Sequence, residues 1–341
     1  MKGKPTSFDI AYKAGVSQAT VSRALRNSPL VSAETRQRIQ AIARELNYKV
    51  DKNASNLRRQ HSVTLALLLF EDPTSDDSLI NPFFLAMLGS ITRACARAGY
   101  DLLISFQQVS DDWHAEYQDS HKADGLILLG YGDYLQARPK LERLVQQGTH
   151  FVRWGAVVEG QPGLSIGCDN VQGGRAISEH LIALGRRRIA FIGDVSEHAP
   201  EFADRYAGLG QALQAAGLAQ DPALQVSASE STELAGERGL RELLARGAAF
   251  DAVFAASDLL AIGAIRALSE SGRRVPQDVA VVGFDDIPIA NYTSPPLTTV
   301  SQDAKRAGEI LVDTLLREIR REPVRSLMLP ARAVVRRSCG A

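Results

Sequence analysis

The chain has 341 residues and a formal net charge of zero, with 39 Lys/Arg against 39 Asp/Glu. This length is typical of two or three domains, and an apolar content of 45% is enough for a sizeable core. Three cysteines (Cys95, Cys168 and Cys339) are too few and too scattered for a disulfide framework or a zinc site. No stretch approaches about 18 apolar residues and the N-terminus lacks a signal-like run, so we expect a cytoplasmic protein without membrane contact.

The zero net charge is the average of two unlike parts. Residues 1–62 carry 12 Lys/Arg against 4 Asp/Glu, a net charge of +8, whereas the remainder carries 27 against 35, a net charge of −8. A small basic segment joined to a larger acidic one indicates that the first part binds a polyanion.

Residues 1–50 are predicted to form three short helices. Ser7, Ser17 and Ser32 each precede apolar residues at helical spacing, so each is predicted to cap a helix. Gly15 permits a tight turn between the first two helices. Two helices joined in this way form a helix-turn-helix, whose second helix enters the major groove of DNA.

The side chains at the start of the second predicted helix suit DNA recognition. Gln18 can pair with adenine, Ala19 can contact a thymine methyl group, and Arg23 can bind guanine. The remaining short donors, suited to phosphate, are Ser17, Thr20 and Ser22. A three-helix bundle with another role could show the same caps, but the charge of +8 on residues 1–62 favours DNA.

Residues 51–62 are polar and are predicted to form a linker or a short hinge helix. From residue 63 apolar runs alternate with helical segments. The predicted strands are 63–70, 101–106, 124–130, 150–155, 187–193, 251–257 and 278–284. The predicted helices are 84–98, 112–122, 134–147, 171–184, 204–216, 233–246 and 258–271. Two successive series of β/α units predict an α/β core of two doubly wound parallel-sheet lobes with a cleft between them.

The segment FDIAYKAGVSQATVSRALRNSPLVSAETRQRIQAIARELNY resembles the DNA-binding head of the lactose-repressor (LacI) family. The resemblance continues through the core in DGLILLG, CDNVQGG, HLIALGRRRIAFIG, FADRYAGL, SDLLAIGAIRAL, VPQDVAVVGFDD and PPLTTVSQD. It implies a helix-turn-helix domain over 1–50, a hinge over 51–62 and a periplasmic-binding-protein-like core over 63–341. We place lobe 1 at about 63–164 and 301–328, and lobe 2 at about 165–300 and 329–341.

The resemblance also assigns roles to the hinge. In that family the hinge enters the minor groove of the operator, and a leucine wedges into the central base step. This places Leu57 at the wedge, with Asn53 and Ala54 ahead of it; packing of Leu57 on the core is the alternative. Val50-Asp51 stands where many relatives have Pro-Asn, so we expect a looser linker before DNA is bound.

An effector site between the lobes, at the carboxyl ends of the strands, is a further implication of the resemblance. The matching residues are Phe83, Phe84, Leu129, Arg153 and Trp154 in lobe 1, and Arg205, Ser257, Asp258, Asp285 and Gln302 in lobe 2 and the crossover after it. Arg205 and Asp285 carry charge in apolar contexts, which favours ligand contact, although the two could instead pair with each other. Asp258 could equally cap the helix that follows it.

Arg153 departs from the family pattern, because many relatives carry Asp at the end of this strand. A guanidinium donates hydrogen bonds, so it favours an acidic group or a ring oxygen. The effector is therefore expected to differ from a plain hexose, for example a disaccharide or an acidic or phosphorylated sugar.

Together these features predict a homodimeric transcriptional regulator, specifically a repressor of carbohydrate-utilisation genes that a sugar-type effector releases from a pseudopalindromic operator. In the alternative, a corepressor such as a purine or a phosphorylated metabolite tightens DNA binding. A sugar-binding transport protein would carry a signal peptide and no basic head, and an enzyme would need a catalytic constellation that is not evident. We expect no catalytic residue, cofactor or metal. No heptads follow ARAVVRRSCGA, which favours a dimer over a four-chain assembly.

Overall fold

The computed structural model describes residues 5–48, 61–70, 80–107, 110–130 and 133–341. The chain divides into two compact units, Met1–Ser62 and Val63–Ala341. The hinge predicted over 51–62, including Asn53, Ala54 and Leu57, lies outside the described residues apart from its last two positions.

The first unit contains three helices: α1 (Ser7–Ala14), α2 (Gln18–Leu25) and α3 (Ala33–Glu45). Ser17 and Ser32 cap α2 and α3, as predicted. The prediction of Ser7 as the first cap is wrong, because Thr6 caps α1 and forms a capping box with Asp9. The helices enclose a small apolar cluster of Ile10, Ala11, Ala14, Val21, Ala24, Val31, Ile39 and Ala43.

Lobe 1 is built on a parallel six-stranded sheet in the order β11-β5-β4-β3-β1-β2. Its strands are β1 (Thr64–Leu69), β2 (Asp101–Phe106), β3 (Gly125–Leu129), β4 (Phe151–Trp154), β5 (Leu164–Cys168) and β11 (Leu327–Leu329). Its helices are α4 (Pro82–Ala98), α5 (Tyr134–Gln146) and α10 (Ala304–Ile319). A π-helical segment, His114–Asp119, lies where an α-helix over 112–122 was predicted.

Lobe 2 is built on a parallel four-stranded sheet in the order β7-β6-β8-β9. Its strands are β6 (Ile189–Ile192), β7 (Gln225–Val226), β8 (Ala252–Ala255) and β9 (Ala280–Val282). Its helices are α6 (Asn170–Ala183), α7 (Pro200–Ala215), α8 (Glu233–Ala245) and α9 (Asp258–Glu270). Two short antiparallel strands, β10 (Thr299–Ser301) and β12 (Arg332–Val334), pair beside this sheet.

The chain passes between the lobes three times. The first passage follows β5, the second lies between β10 and α10, and the third lies between β11 and β12. The boundary predicted at residues 164 and 165 is therefore a few residues early, because all of β5 belongs to the first sheet. In doubly wound lobes, a ligand is expected at the carboxyl ends of the strands.

Candidate functional site

Helix α2 presents an accessible N-terminal turn. Ser17 accepts a hydrogen bond from the Thr20 backbone N–H at 3.2 Å, and the two hydroxyl groups lie 2.9 Å apart. Ser17, Ala19 and Arg23 are exposed, whereas Thr20 is half-buried. The hydroxyl groups and the arginine therefore lie on the surface that a polyanion can reach.

Two other predicted DNA-contact residues already have partners inside the first unit. The half-buried Gln18 donates through Nε2 to Ser7 Oγ at 2.8 Å. Ser22 Oγ accepts from Arg26 Nη2 at 2.8 Å, and the Ser22 carbonyl accepts from Arg26 Nε at 3.0 Å. The contact with Ser7 uses one of the two N–H groups of the Gln18 amide.

The lobe 2 wall of the cleft is centred on Arg205, which is 0% exposed. Its Nε donates to Asn170 Oδ1 at 2.9 Å, and its Nη1 donates to the Ala256 carbonyl. The guanidinium lies 3.9 Å from the centre of the Phe284 ring. Arg205 is therefore fixed in place by lobe 2 itself.

The position of Arg205 depends on close packing of two helices. A Cβ on Gly174 of α6 would lie 2.3 Å from the backbone oxygen of Arg205 on α7. A Cβ on Gly208 would meet the Val171 carbonyl oxygen at the same distance. The QGGR segment thus serves helix packing, consistent with its weakness as a phosphate-binding signal.

Asp285 connects Arg205 to the second passage between the lobes. Its Oδ1 lies 3.7 Å from Arg205 Nη1 and accepts from Gln302 Nε2 at 2.5 Å. Both Asp285 and Gln302 are buried. The charge pairing considered as an alternative to ligand contact is thus present, at a separation long for a direct hydrogen bond.

Asp258 lies deeper in the same network. Its Oδ2 accepts from the Ile287 backbone N–H at 2.8 Å, and its Oδ1 accepts from the Thr299 hydroxyl. Burial, followed by the charge of Asp285, raises the pKa of Asp258 well above its ordinary value. Ser257, not Asp258, caps helix α9, and its Oγ also accepts from the Ser231 hydroxyl at 2.7 Å. Asp258 therefore supports the loop that carries Asp285, whereas Ser257 holds the start of α9.

Lobe 1 contributes a different kind of wall. Phe83 and Phe84 pack edge to face with ring centres 5.3 Å apart, and Phe83 lies 5.8 Å from the Trp154 ring. Both phenylalanines are buried in the core of the lobe. Trp154 and Leu129 instead border a small void of about 50 Å³ that is partly open to solvent. Of these four predicted residues, the structure brings only Leu129 and Trp154 to the void.

The void lies at the carboxyl ends of β1, β3 and β4. Its lining mixes apolar, aromatic and polar side chains. The lining residues are Phe70, Gln107, Leu128, Leu129, Gly130, Tyr134, Ala137, Leu141, Arg153, Trp154 and Glu201. Glu201 comes from α7 of lobe 2, so both lobes contribute to the void.

Arg153 is buried at the end of β4. Its Nε donates to Ser165 Oγ at 2.8 Å, its Nη2 donates to the Ala156 carbonyl at 3.0 Å, and its guanidinium lies 5.1 Å from the centre of the Tyr134 ring. Burial lowers the pKa of Arg153, and the negative charge of Glu201 opposes that shift. The compensating carboxylate therefore comes from the opposite lobe, and not from Glu159, the nearest acid in the sequence.

Three hydrogen-bonded contacts join the lobes beside the void. The Ala156 N–H donates to Glu201 Oε1 at 2.8 Å, and the Tyr134 N–H donates to the His198 carbonyl at 3.0 Å. His198 Nδ1 lies 2.8 Å from Asp133 Oδ2. Burial opposes the ionisation of Asp133, but hydrogen bonds from the Gln136 N–H and the His198 ring outweigh it, so the pKa of Asp133 is lowered.

Glu201, His198 and Asp133 were not identified from the sequence. Glu201 stands four residues before Arg205, one turn earlier on the same helix, which is the signal that could have placed it beside the cleft. Asp204 also lies on this helix, and burial followed by the charge of Glu201 raises its pKa to about 6. The carboxyl groups of Glu201 and Asp204 are thus close enough for the charge of one to affect the other.

Within the described ranges, no group of three or more His, Cys, Asp or Glu side chains is arranged to hold a metal ion. No helix in those ranges is long and apolar enough to span a membrane.

The chain matches two protein-family models. Residues 8–51 match the bacterial regulatory proteins of the lacI family, and residues 178–339 match a periplasmic binding protein-like domain. The HTH-type transcriptional regulator CelR of Thermobifida fusca is 34% identical over 344 residues, covering 98% of each chain.

Solved structures extend these similarities to the fold. A complex of the transcriptional regulator CelR with cellobiose superposes with a TM-score of 0.72 at 31% identity, covering 98% of this chain and 99% of that one. A lac repressor dimer bound to operator and the anti-inducer ONPF superposes with a TM-score of 0.83 at 28% identity, covering 99% and 100%.

A helix-turn-helix head followed by a two-lobed binding core defines a ligand-responsive transcriptional regulator. The chain belongs to the LacI family of bacterial regulatory proteins. It is accordingly a DNA-binding transcriptional regulator and not an enzyme.

Proposed function

We propose that this protein is a homodimeric repressor of carbohydrate-utilisation genes, acting in the cytoplasm and released from a pseudopalindromic operator by a sugar-type effector. The lac repressor structure described above is a dimer bound to operator. The CelR regulator of Thermobifida fusca is 34% identical to this chain, and a solved CelR complex contains cellobiose. Two heads related by a twofold axis read two half-sites of a palindrome.

In this proposal residues 1–50 read DNA, residues 51–62 form the hinge, and residues 63–341 bind the effector and the second chain. Gln18, Ala19 and Arg23 contact base edges, and Ser17, Thr20 and Ser22 contact phosphates. Support comes from the capped, exposed start of α2. The assignment of Asn53, Ala54 and Leu57 to the minor groove rests on the resemblance alone.

The observation that carries the effector assignment is the void at the carboxyl ends of the lobe 1 strands, which Glu201 borders from lobe 2. An aromatic ring beside charged and amide groups suits a hydroxyl-rich ligand. We assign Leu129, Arg153, Trp154 and Glu201 to direct contact. Arg205, Asp285 and Gln302 form the facing polar network, which a ligand can enter by replacing the 3.7 Å Arg205–Asp285 contact.

The remaining predicted effector residues receive supporting roles in this proposal. Phe83, which packs on Phe84, supports Trp154. Asp258 supports the loop after Asp285 through the Ile287 N–H, and Ser257 caps α9. Ligand-driven movement of the lobes alters the start of the core, where the hinge joins it, and so lowers affinity for DNA. Effector and operator affinities are then linked reciprocally.

The DNA assignment can be tested with the full chain and a duplex selected from a randomised pool. Replacing Arg23 by Ala should weaken binding by about 1–3 kcal/mol and relax the preference for guanine at one position of each half-site. Arg238→Ala is the control, because Arg238 is an exposed lobe 2 residue paired with Glu230. Equal binding by the Arg23→Ala protein would contradict the assignment.

The effector assignment can be tested by titrating the protein–duplex complex with mono- and disaccharides. A sugar-type inducer should release the duplex and raise the melting temperature of the DNA-free protein. A purine or a sugar phosphate that tightens the complex would instead establish corepression.

A further inference from the structure

The Arg153 guanidinium faces the void with one nitrogen still available. Its Nε and Nη2 are engaged by Ser165 and the Ala156 carbonyl. A Cβ built on Gly155 would lie 3.2 Å from Nη1, which places this donor directly beside Gly155. Among the described residues, Nη1 has no hydrogen-bond acceptor.

Glu201 reaches the same place from the other lobe. The built Cβ on Gly155 would lie 3.0 Å from Glu201 Oε1, the oxygen that also accepts from the Ala156 N–H. Glu201 and Arg153 both border the void, yet they form no direct ion pair. A strong donor and a strong acceptor therefore flank the small space that the missing side chain of Gly155 leaves open.

This pairing discriminates between ligand groups by their hydrogen-bonding capacity. A hydroxyl group accepts from Arg153 Nη1 through its oxygen and donates its proton to Glu201. A carboxylate or phosphate can accept from Arg153 but has no proton for Glu201, and the two negative charges repel at short range.

We propose that Arg153 and Glu201 make the cleft selective for an uncharged, hydroxyl-bearing sugar over its acidic counterpart. The proposal rests on the sugar-type effector proposed above, and it replaces the expectation that Arg153 favours an acidic ligand. Glu201 is the specificity-determining residue, because it neutralises a cation that would otherwise attract an anion. Gly155 is required because any side chain there would occupy the space between the two groups.

The test uses pairs of sugars that differ only at C6, where a hydroxymethyl group is replaced by a carboxylate. Suitable probes are glucose and glucuronate, galactose and galacturonate, and cellobiose and its uronic acid. Calorimetric titration of the full chain at about pH 7.5 keeps the acids ionised. The wild-type chain should bind the neutral member of at least one pair at least about tenfold more tightly than the acid.

Glu201→Gln is the decisive variant, because the amide oxygen can still accept from the Ala156 N–H while the charge is removed. It should shift the neutral-to-acid affinity ratio by about tenfold toward the acid. Glu159→Gln is the matched control, since Glu159 is exposed and lies in the loop after β4, and it should leave the ratio unchanged. Arg153→Met, which removes the opposite charge, should move the ratio in the other direction.

The possible outcomes are separable. Neutral-sugar binding by Glu201→Gln with an unaltered ratio overturns the selectivity proposal and leaves the sugar effector intact. A wild-type preference for the acid also overturns it. Binding of none of the sugars, by a wild-type chain that still binds its duplex, overturns the proposed sugar effector and the selectivity with it. The melting temperature of each variant, measured alongside, distinguishes lost recognition from lost folding.

Discussion

The two walls of the cleft are held in different ways. In lobe 2, Arg205 and Asp285 lie in a buried network that includes hydrogen bonds to Asn170 of that lobe and to Gln302 of the adjoining passage. In lobe 1, Arg153 is bonded within its own lobe, but its balancing charge, Glu201, comes from the other lobe. The lobe 2 wall is therefore held by hydrogen bonds within its own lobe and the adjoining passage, whereas the lobe 1 wall also receives a carboxylate from the other lobe.

This difference has a physical consequence for ligand response. A buried charge network is costly to rearrange, because each member left without its partner loses a hydrogen bond in a low dielectric. The contacts of Glu201 and His198 with lobe 1 are partly solvent-exposed and therefore cheaper to exchange. We expect lobe 2 to keep the hydrogen bonds from Arg205 to Asn170 and the Ala256 carbonyl while a ligand replaces the 3.7 Å Arg205–Asp285 contact, and the lobe 1 side to provide selectivity and movement.

The largest expected effect comes from removing Arg205. Arg205→Ala leaves Asp285 and Asn170 without their buried cationic partner, so we expect the free energy of unfolding to fall by about 3–5 kcal/mol. Urea denaturation followed by circular dichroism measures this loss. Arg238→Ala, at an exposed ion pair, should change stability by less than about 1 kcal/mol. Equal losses in the two variants would show that the lobe 2 wall is not a rigid network.

Arg153→Ala should lower the affinity for sugar strongly and the free energy of unfolding only slightly. The variant loses a charged donor to the ligand, so affinity for the tightest neutral sugar should fall about 10- to 100-fold. Ser165 Oγ keeps its contact with Gln161 Oε1, so the free energy of unfolding should fall by only about 1–2 kcal/mol. Calorimetry and denaturation on the same preparation provide both values. Unchanged sugar affinity would exclude Arg153 from the effector site.

The sequence predicted most of the long elements of both walls and few of their contacts. Apolar runs identified seven of the described strands, but not the short strands β5, β7, β10, β11 and β12, and the helix α10 was also missed. The β5 segment, for example, contains Ser165 and Gly167. Gly167 is needed there because a Cβ would lie 2.1 Å from the Gly155 carbonyl oxygen. In α1 the correct cap could have been found, since Asp9 stands three residues after Thr6.

The role of Glu201 shows why the site could be predicted only in part. Arg205, Asp285 and Arg153 were found from charge within apolar strand ends and from the family resemblance. Glu201 contacts Ala156, 45 positions earlier in the chain, and this contact arises from the way the lobes meet. No local pattern encodes such a contact. A residue pair across a cleft is a property of tertiary structure, even when each residue lies in a predictable element.

Gly155→Ala should weaken sugar binding and leave the stability of the fold nearly unchanged. The added methyl group would lie between Arg153 Nη1 and Glu201 Oε1, so sugar affinity should fall about tenfold. Gly155 does not have a positive φ, so alanine can adopt its backbone conformation. Gly89→Ala is the control, because the nearest atom to a Cβ there is 3.9 Å away. A normal sugar affinity in Gly155→Ala would place the ligand elsewhere in the cleft.

The smallest expected effect concerns Glu318, a lobe 1 carboxyl group that does not line the void. Burial raises the pKa of Glu318 from 4.5 to about 7, and its Oε2 is buried without a hydrogen-bond partner in the described part of the chain. Between these pH values the folded protein binds more protons at this site than the unfolded chain does. The stability contributed by Glu318 is therefore present below pH 4.5 and is lost as the pH rises to about 7.

Glu318→Gln should therefore raise the melting temperature by roughly 2 °C at pH 8, and the gain should shrink toward zero as the pH falls to about 4. Sugar affinity should stay at the wild-type value, because the group lies outside the void. Glu142→Gln, at an exposed ion pair on α5, controls for the general loss of a lobe 1 negative charge. A gain that does not depend on pH would mean that the amide improves packing. A changed sugar affinity would mean that the lobe 1 wall responds to charges well beyond Arg153 and Glu201, and that the two walls differ less than their contacts indicate.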